Sequence, residues 1–185
     1  MKLKTKRKGV SLIELVVALS LITIILMIVG PFFISNYRSL NKTSNQIDFQ
    51  REAKVIMNYF TDSAMEASKI LAINLNNSKE NIDLAENSTA ESIGNGDAIS
   101  ITFDNDDIKD NIETRFRLDD EILYYKKDDN KEVQIGQFIK KMSFNAMPSG
   151  TNFENASSIE VKIEFDTNNA TPYEISNILT FRNKK

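Results

Sequence analysis

Hydrophobic and polar positions divide this chain into three regimes. From Leu15 to Tyr37 there are 23 consecutive uncharged residues, most of them Leu, Ile, Val, Met or Phe. A helix needs about 20 such residues, at about 1.5 Å each, to cross a bilayer. From Arg38 the pattern becomes amphipathic. Ile56, Tyr59, Phe60, Ala64, Ala67, Ile70 and Leu71 recur at spacings of three and four, while Lys54, Asn58, Asp62, Glu66 and Lys69 fall on other faces. The periodicity predicts one long helix from about Ser11 to about Ile73, with an apolar stripe toward its end.

Residues 74–97 are dense in Asn, Ser and Gly and read as loop, with a short helical turn near Ile82 to Ala85. Strand patterning follows. Candidates are Ile99 to Phe103, Glu113 to Leu118, Glu121 to Lys126, Val133 to Ile135, Lys140 to Asn145, Ser158 to Phe165 and Ile175 to Phe181. Asp119-Asp120 is a two-residue hairpin turn candidate. In Ser158 to Phe165 the alternation is complete, as in an antiparallel sheet with one face in water. Such a sheet needs cover on its apolar face, and the helix stripe from Ile56 to Leu71 supplies it. The expected fold class is α+β, a long N-terminal helix packed on an antiparallel sheet.

Charge sharpens the N-terminal reading. Lys2, Lys4, Lys6, Arg7 and Lys8 put five cations and no acid in the first nine residues, and the rest of the chain holds 18 basic and 26 acidic residues. A cationic flank of this kind holds the N-terminus on the cytoplasmic side of a membrane and places the body outside. A secretory signal peptide shares the basic start. However, its apolar core is about 7–15 residues, and here no small-x-small cleavage site follows the run. An ordinary single-span anchor fits the length. Neither explains Glu14, whose charge within the apolar register costs at least about 2.5 kcal/mol.

The run Lys8-Gly9-Val10-Ser11-Leu12-Ile13-Glu14-Leu15-Val16-Val17-Ala18-Leu19 resembles the type IV prepilin signal, with Val10 in place of the more usual Phe. The resemblance implies four segments. Residues 1–9 are a leader removed by a prepilin peptidase, and 10–37 a membrane-spanning and filament-core helix. Residues 38–73 form the amphipathic helix of the head, and 74–185 its extracytoplasmic remainder. It further implies cleavage between Gly9 and Val10 and N-methylation of Val10. Glu14 would meet the N-terminal amine of a neighbouring subunit during assembly, with snorkelling to the headgroups as the plainer alternative. Gly30-Pro31 would be a helix break or weak point, proline removing a hydrogen bond and crowding the preceding turn. The same pair also suits the simple end of a membrane span. The partners implied are prepilin peptidase, other pilins major and minor, and the cytoplasmic membrane before assembly. The destination is an extracellular pilus or pilus tip.

Within the head, Met57 to Ala64, Arg115 to Tyr125 and Leu179 to Asn183 resemble minor pilins of the PilW type and the J-type pseudopilins of type II secretion. The functions implied are a minor pilin that primes or caps a pilus, with a role in adhesion, or a pseudopilin of a secretion or DNA-uptake machine. A third class is a subunit whose head binds DNA or a surface ligand. For DNA, Lys126, Lys127, Lys140 and Lys141 are the candidate phosphate contacts, Tyr124 and Tyr125 lying beside the first pair. Such pairs more commonly solvate strand edges.

The chain has neither histidine nor cysteine, which removes disulfides, an imidazole base and a cysteine nucleophile. There is no G-x-S-x-G elbow and no phosphate loop. Asp104-Asn105-Asp106-Asp107 is similar to a calcium loop, but Ile108 and the missing glycine break the spacing, leaving a solvated acidic turn. The expectation is a non-enzyme with no cofactor and no metal.

Overall fold

The computed structural model describes residues 9–75, 81–92, 98–107, 110–166 and 172–182, and the side chains of 105–107 and 110–112 lie outside that description. The chain divides into two units, Met1–Thr43 and Ser44–Lys185. One helix, α1 (Leu12–Glu66), contributes to both.

In the first unit the helix carries the apolar run, and its side chains from Leu12 to Ile28 are exposed. It is the helix among the described residues long and apolar enough to cross a membrane. Two hydroxyl side chains of the run turn inward onto the helix backbone. Ser20 Oγ donates to the Val17 carbonyl at 2.8 Å, and Thr23 Oγ1 to the Leu19 carbonyl at 2.8 Å. Neither group is left for lipid to solvate. Pro31 lies inside the helix, which continues past it.

The second unit packs the rest of α1 against two antiparallel sheets. The first sheet has the order β1-β3-β4-β5-β6, with β1 (Lys69–Leu75), β3 (Ile99–Asp107), β4 (Asp110–Asp119), β5 (Ile122–Lys127) and β6 (Val133–Gly136). The second has the order β2-β7-β8-β9, with β2 (Thr89–Glu91), β7 (Ile139–Met147), β8 (Ser158–Phe165) and β9 (Tyr173–Thr180). The helix presents Phe49, Ala53, Ile56, Met57, Phe60, Ser63 and Ala64 to the core. Phe60 joins the layers, its ring stacked on Phe116 of β4 at 3.8 Å and tilted against Phe144 of β7 at 6.3 Å. Phe49 stacks on Phe165 of β8 at 5.6 Å. A single apolar cluster therefore draws on the helix and both sheets.

The α+β class holds, with three revisions. The helix ends at Glu66, not near Ile73, and Ile70 and Leu71 belong to β1. Ser68 is captured by β3, its N–H and Oγ both donating to the Asp104 carbonyl, at 2.8 and 3.1 Å. A bulge then admits an extra residue between Ile70 and Ala72, so Ile70 and Ile73, three apart, both face the core. That spacing imitates a helical period.

Second, the strands form two sheets, and β2 lies within the stretch expected to be loop. Third, the hairpin turn is Asp120-Glu121, one residue later than expected. Asp119 pairs with Ile122, and both turn residues have positive φ, 49° and 63°. Leu118 opposite Leu123, both buried, fixes that register.

Candidate functional site

The expected processing site is at the helix start. Gly9 and Val10 are exposed and precede the helix, which begins at Leu12. Ser11 is the N-cap. Its Oγ accepts the Glu14 N–H at 3.3 Å, while Glu14 Oε2 accepts the Ser11 N–H at 2.9 Å and the Ser11 hydroxyl at 3.0 Å. This is a reciprocal capping box, satisfying donors that a helix start otherwise leaves open. Glu14 thus has a partner in its own chain, beside the intermolecular one expected of it. Ser11-x-x-Glu14 ahead of an apolar run is a capping signature legible in the sequence itself.

Gly30 and Pro31 sit between apolar helix turns. No atom outside the neighbouring backbone lies within 4 Å of where a Gly30 Cβ would stand. Pro31 has no N–H, so the Met27 carbonyl lacks its i+4 donor. The pair is a local weak point in hydrogen bonding within a helix that is otherwise continuous.

The four candidate DNA-contacting lysines do not form one patch. Lys126 and Lys127 are on β5 of the first sheet, and consecutive strand positions point them to opposite faces. Lys140 and Lys141 are on β7 of the second sheet. Three of them meet carboxylates. Lys127 Nζ donates to Glu66 Oε2 at 2.6 Å, Lys140 Nζ to Asp166 Oδ2 at 2.8 Å, and Lys141 pairs with Glu91. The hydrogen bond to Glu66 raises the pKa of Lys127, and that to Asp166 raises the pKa of Lys140. Both cations are already matched within the head.

The more developed polar cluster on the first sheet centres on Arg117 of β4. Its Nε and Nη2 grip both oxygens of Glu132, at 3.0 and 2.7 Å, and Nη1 reaches Asp119. Its guanidinium lies 4.6 Å from the centre of the Tyr124 ring. Hydrogen bonding to Glu132 raises the Arg117 pKa against the opposing effect of burial, and the same bond lowers the pKa of Glu132. The fork is thus occupied by Asp119 of its own strand and by Glu132 just ahead of β6.

On the second sheet a shallow depression of about 310 Å³ is lined by Glu91, Lys141, Ser143, Asn145, Lys162 and Glu174, among others. Both of its lysines are matched internally, Lys141 with Glu91 and Lys162 with Glu174, while Glu164 adds a third carboxylate to the lining. Among the described residues no group of three acidic side chains converges as a metal site would require. Asp104, first of the acidic run expected to be a turn, instead lies on β3 and pairs with Lys69 at 3.4 Å.

Comparison with known proteins bears on the N-terminus alone. The family model described as the prokaryotic N-terminal methylation motif matches residues 4–30. No curated protein and no solved structure matches the chain. The chain is therefore type IV prepilin-like, a pilin- or pseudopilin-like protein with an apolar N-terminal helix fit for membrane anchoring.

Proposed function

We propose that the chain is a minor pilin of the PilW type, a scarce subunit that enters or initiates a type IV pilus and has a role in adhesion. A prepilin peptidase cuts between Gly9 and Val10, Val10 is N-methylated, and the apolar helix leaves the cytoplasmic membrane to pack among other pilins. The observation that carries this reading is the exposed apolar helix surface beginning at Leu12, two residues beyond Val10 and inside the methylation motif. Side-by-side packing of such helices buries large apolar area without any catalytic group. The gap in hydrogen bonding at Gly30-Pro31 gives that helix a place to stretch or melt within a filament.

The test begins with intact-mass and N-terminal analysis of the protein from its own host, expected to find methylated Val10 first. A mature chain starting at Met1, or beyond Pro31, overturns the proposal. Glu14→Leu is expected to leave membrane insertion intact and to abolish incorporation into filaments. Deletion of the protein is expected to reduce pilus number. Loss of secretion or DNA uptake with pilus number unchanged would assign the chain to a pseudopilus instead. Loss of attachment alone would make the head an adhesive module, with Lys126 the first lysine to neutralise.

A further inference from the structure

Among the described residues, three of the four sheet edges are blunted against strand addition. Strand β2 has only three residues and β6 only four, and β1 carries a bulge and begins at Lys69. Strand β9 has none of these protections. It has eight residues, pairs with β8 at every position without a register shift, and contains no Lys, Arg or Pro.

Its free side can be assigned. The Phe181 N–H donates to the Ser157 carbonyl at 3.1 Å, so odd-numbered positions turn their backbone groups toward β8. By alternation, Glu174, Ser176, Ile178 and Thr180 turn theirs outward. Among the described residues no backbone partner meets them there. Ile178 is 57% exposed on this edge.

We propose that β9 is a self-association edge, two copies of this chain pairing β9 to β9 antiparallel about a two-fold axis through Ile178. The occupant is a second copy because the edge is complementary to itself in this register. With Ile178 opposite its own counterpart, Ser176 faces Thr180, and Glu174 comes opposite Arg182, whose long side chain reaches it from the turn just past β9; each pair occurs twice by symmetry. Both ends then join opposite charges, and the centre joins the two exposed isoleucines. Sliding by one pairing step in either direction keeps the backbone alternation but removes the match of Glu174 with Arg182. Lys162 on β8 already holds Glu174 at 3.1 Å, and Arg182 of the second copy shares that carboxylate from the free side.

A two-strand seam buries far less than the roughly 1,200 Å² of a stable complex, so the contact is transient between free chains. It strengthens when two chains share one membrane or filament. The inference rests on the β9 edge and does not require the pilus reading.

The chain has no cysteine, which allows covalent trapping. Full-length Ile178→Cys in detergent micelles is expected to give a disulfide-linked dimer under mild oxidation, since the two positions face each other across the seam. Ser176→Cys and Thr180→Cys are each expected to remain monomeric. Each lies two residues from the axis, about 13 Å from its own counterpart and beyond the roughly 7 Å reach of a disulfide. Mixing these two chains is expected to restore a linked species. In the Ile178→Cys background, Glu174→Arg or Arg182→Glu alone is expected to lower dimer yield about tenfold, two cross-strand charge pairs being inverted at once. The double reversal is expected to restore it. Thermal melts of each variant confirm that the head is folded. Failure of Ile178→Cys to dimerise, or equal dimer from all three single cysteines, overturns the proposal, and charge reversals without effect overturn the register.

Discussion

At Gly136, the last residue of β6, the helix packs close against the first sheet, and a single methyl group tests that approach. A Cβ on Gly136 would stand 2.5 Å from Ile56 Cδ1, 3.1 Å from Ile139 Cδ1 and 3.2 Å from Ile56 Cγ1. Carbon atoms rest at about 3.5–4.0 Å, so the first contact overlaps by about 1 Å. Ile56 and Ile139 are both buried, which leaves little room to retreat. The backbone of Gly136 lies outside the left-handed region, so alanine adds no conformational penalty there. It gains about 0.4–1 kcal/mol from a less flexible unfolded chain, against an overpacking cost of about 1–3 kcal/mol. The expected net loss for Gly136→Ala is about 1–2 kcal/mol. Ile56→Val alone is expected to cost about 0.5–1.5 kcal/mol, but it deletes the atom that the new methyl meets. The double variant should therefore be no less stable than Gly136→Ala, a favourable coupling of about 1 kcal/mol. Denaturant melts of a soluble fragment beginning at Arg38 would measure this. That cut spares the core, because Phe49 is the first buried residue of the helix. Additive losses would show that helix and sheet do not meet through this methyl, and the packing argued from Ile56 would fail.

Two further outcomes follow from the same core and from its charged surface. Phe60→Ala should cost about 3–5 kcal/mol, because its fully buried ring stacks on Phe116 and tilts against Phe144. Tyr59→Ala should cost only about 1 kcal/mol, the residue being 37% exposed with its ring resting on Tyr125 at 4.8 Å. Equal losses in thermal melts would place the buried stripe on the wrong face. The pKa of Glu132 is lowered by its hydrogen bond to Arg117, so its contribution is present above the ordinary carboxylate range and is lost as pH falls through the lowered value. Glu132→Gln should cost no more than about 1 kcal/mol at neutral pH, solvent screening the pair, and nothing in acid. The pKa of Glu52 is raised, chiefly by burial, although the Gln137 N–H donates to it at 2.6 Å. Its effect has the opposite sign, favouring the fold at low pH and weakening it as pH rises through the raised value. Glu52→Gln should therefore flatten the stability profile just above the ordinary carboxylate range. Urea midpoints across pH separate the two.

What the sequence discloses about this molecule, and what it conceals, depends on whether a signal is local. The apolar run and its cationic flank are properties of consecutive residues, so the N-terminal helix is legible from those residues alone. Strand β8 is legible to the residue because its two faces meet unlike surroundings, Ile159, Val161, Ile163 and Phe165 in the core and Glu160, Lys162 and Glu164 on the wetter side. The capping partnership of Ser11 with Glu14 is equally local and can be read from its spacing. By contrast, β1 conceals itself through the bulge at Leu71, which places buried residues three apart and gives a strand the rhythm of a helix. Alternation identifies strands but carries no label saying which sheet they join. The division into two sheets therefore appears only once Phe60 is seen between Phe116 and Phe144. The lysines show the same limit in electrostatics. Lys127 finds Glu66 61 residues away and Lys140 finds Asp166 26 residues away, so a basic pair in the sequence becomes a set of matched ion pairs in the fold. Strand β9 requires both kinds of information. Its uncharged run between Glu174 and Arg182 is plain in the sequence, but only the strand order makes it an edge. Only the Phe181 bond to Ser157 shows which of its backbone groups face outward.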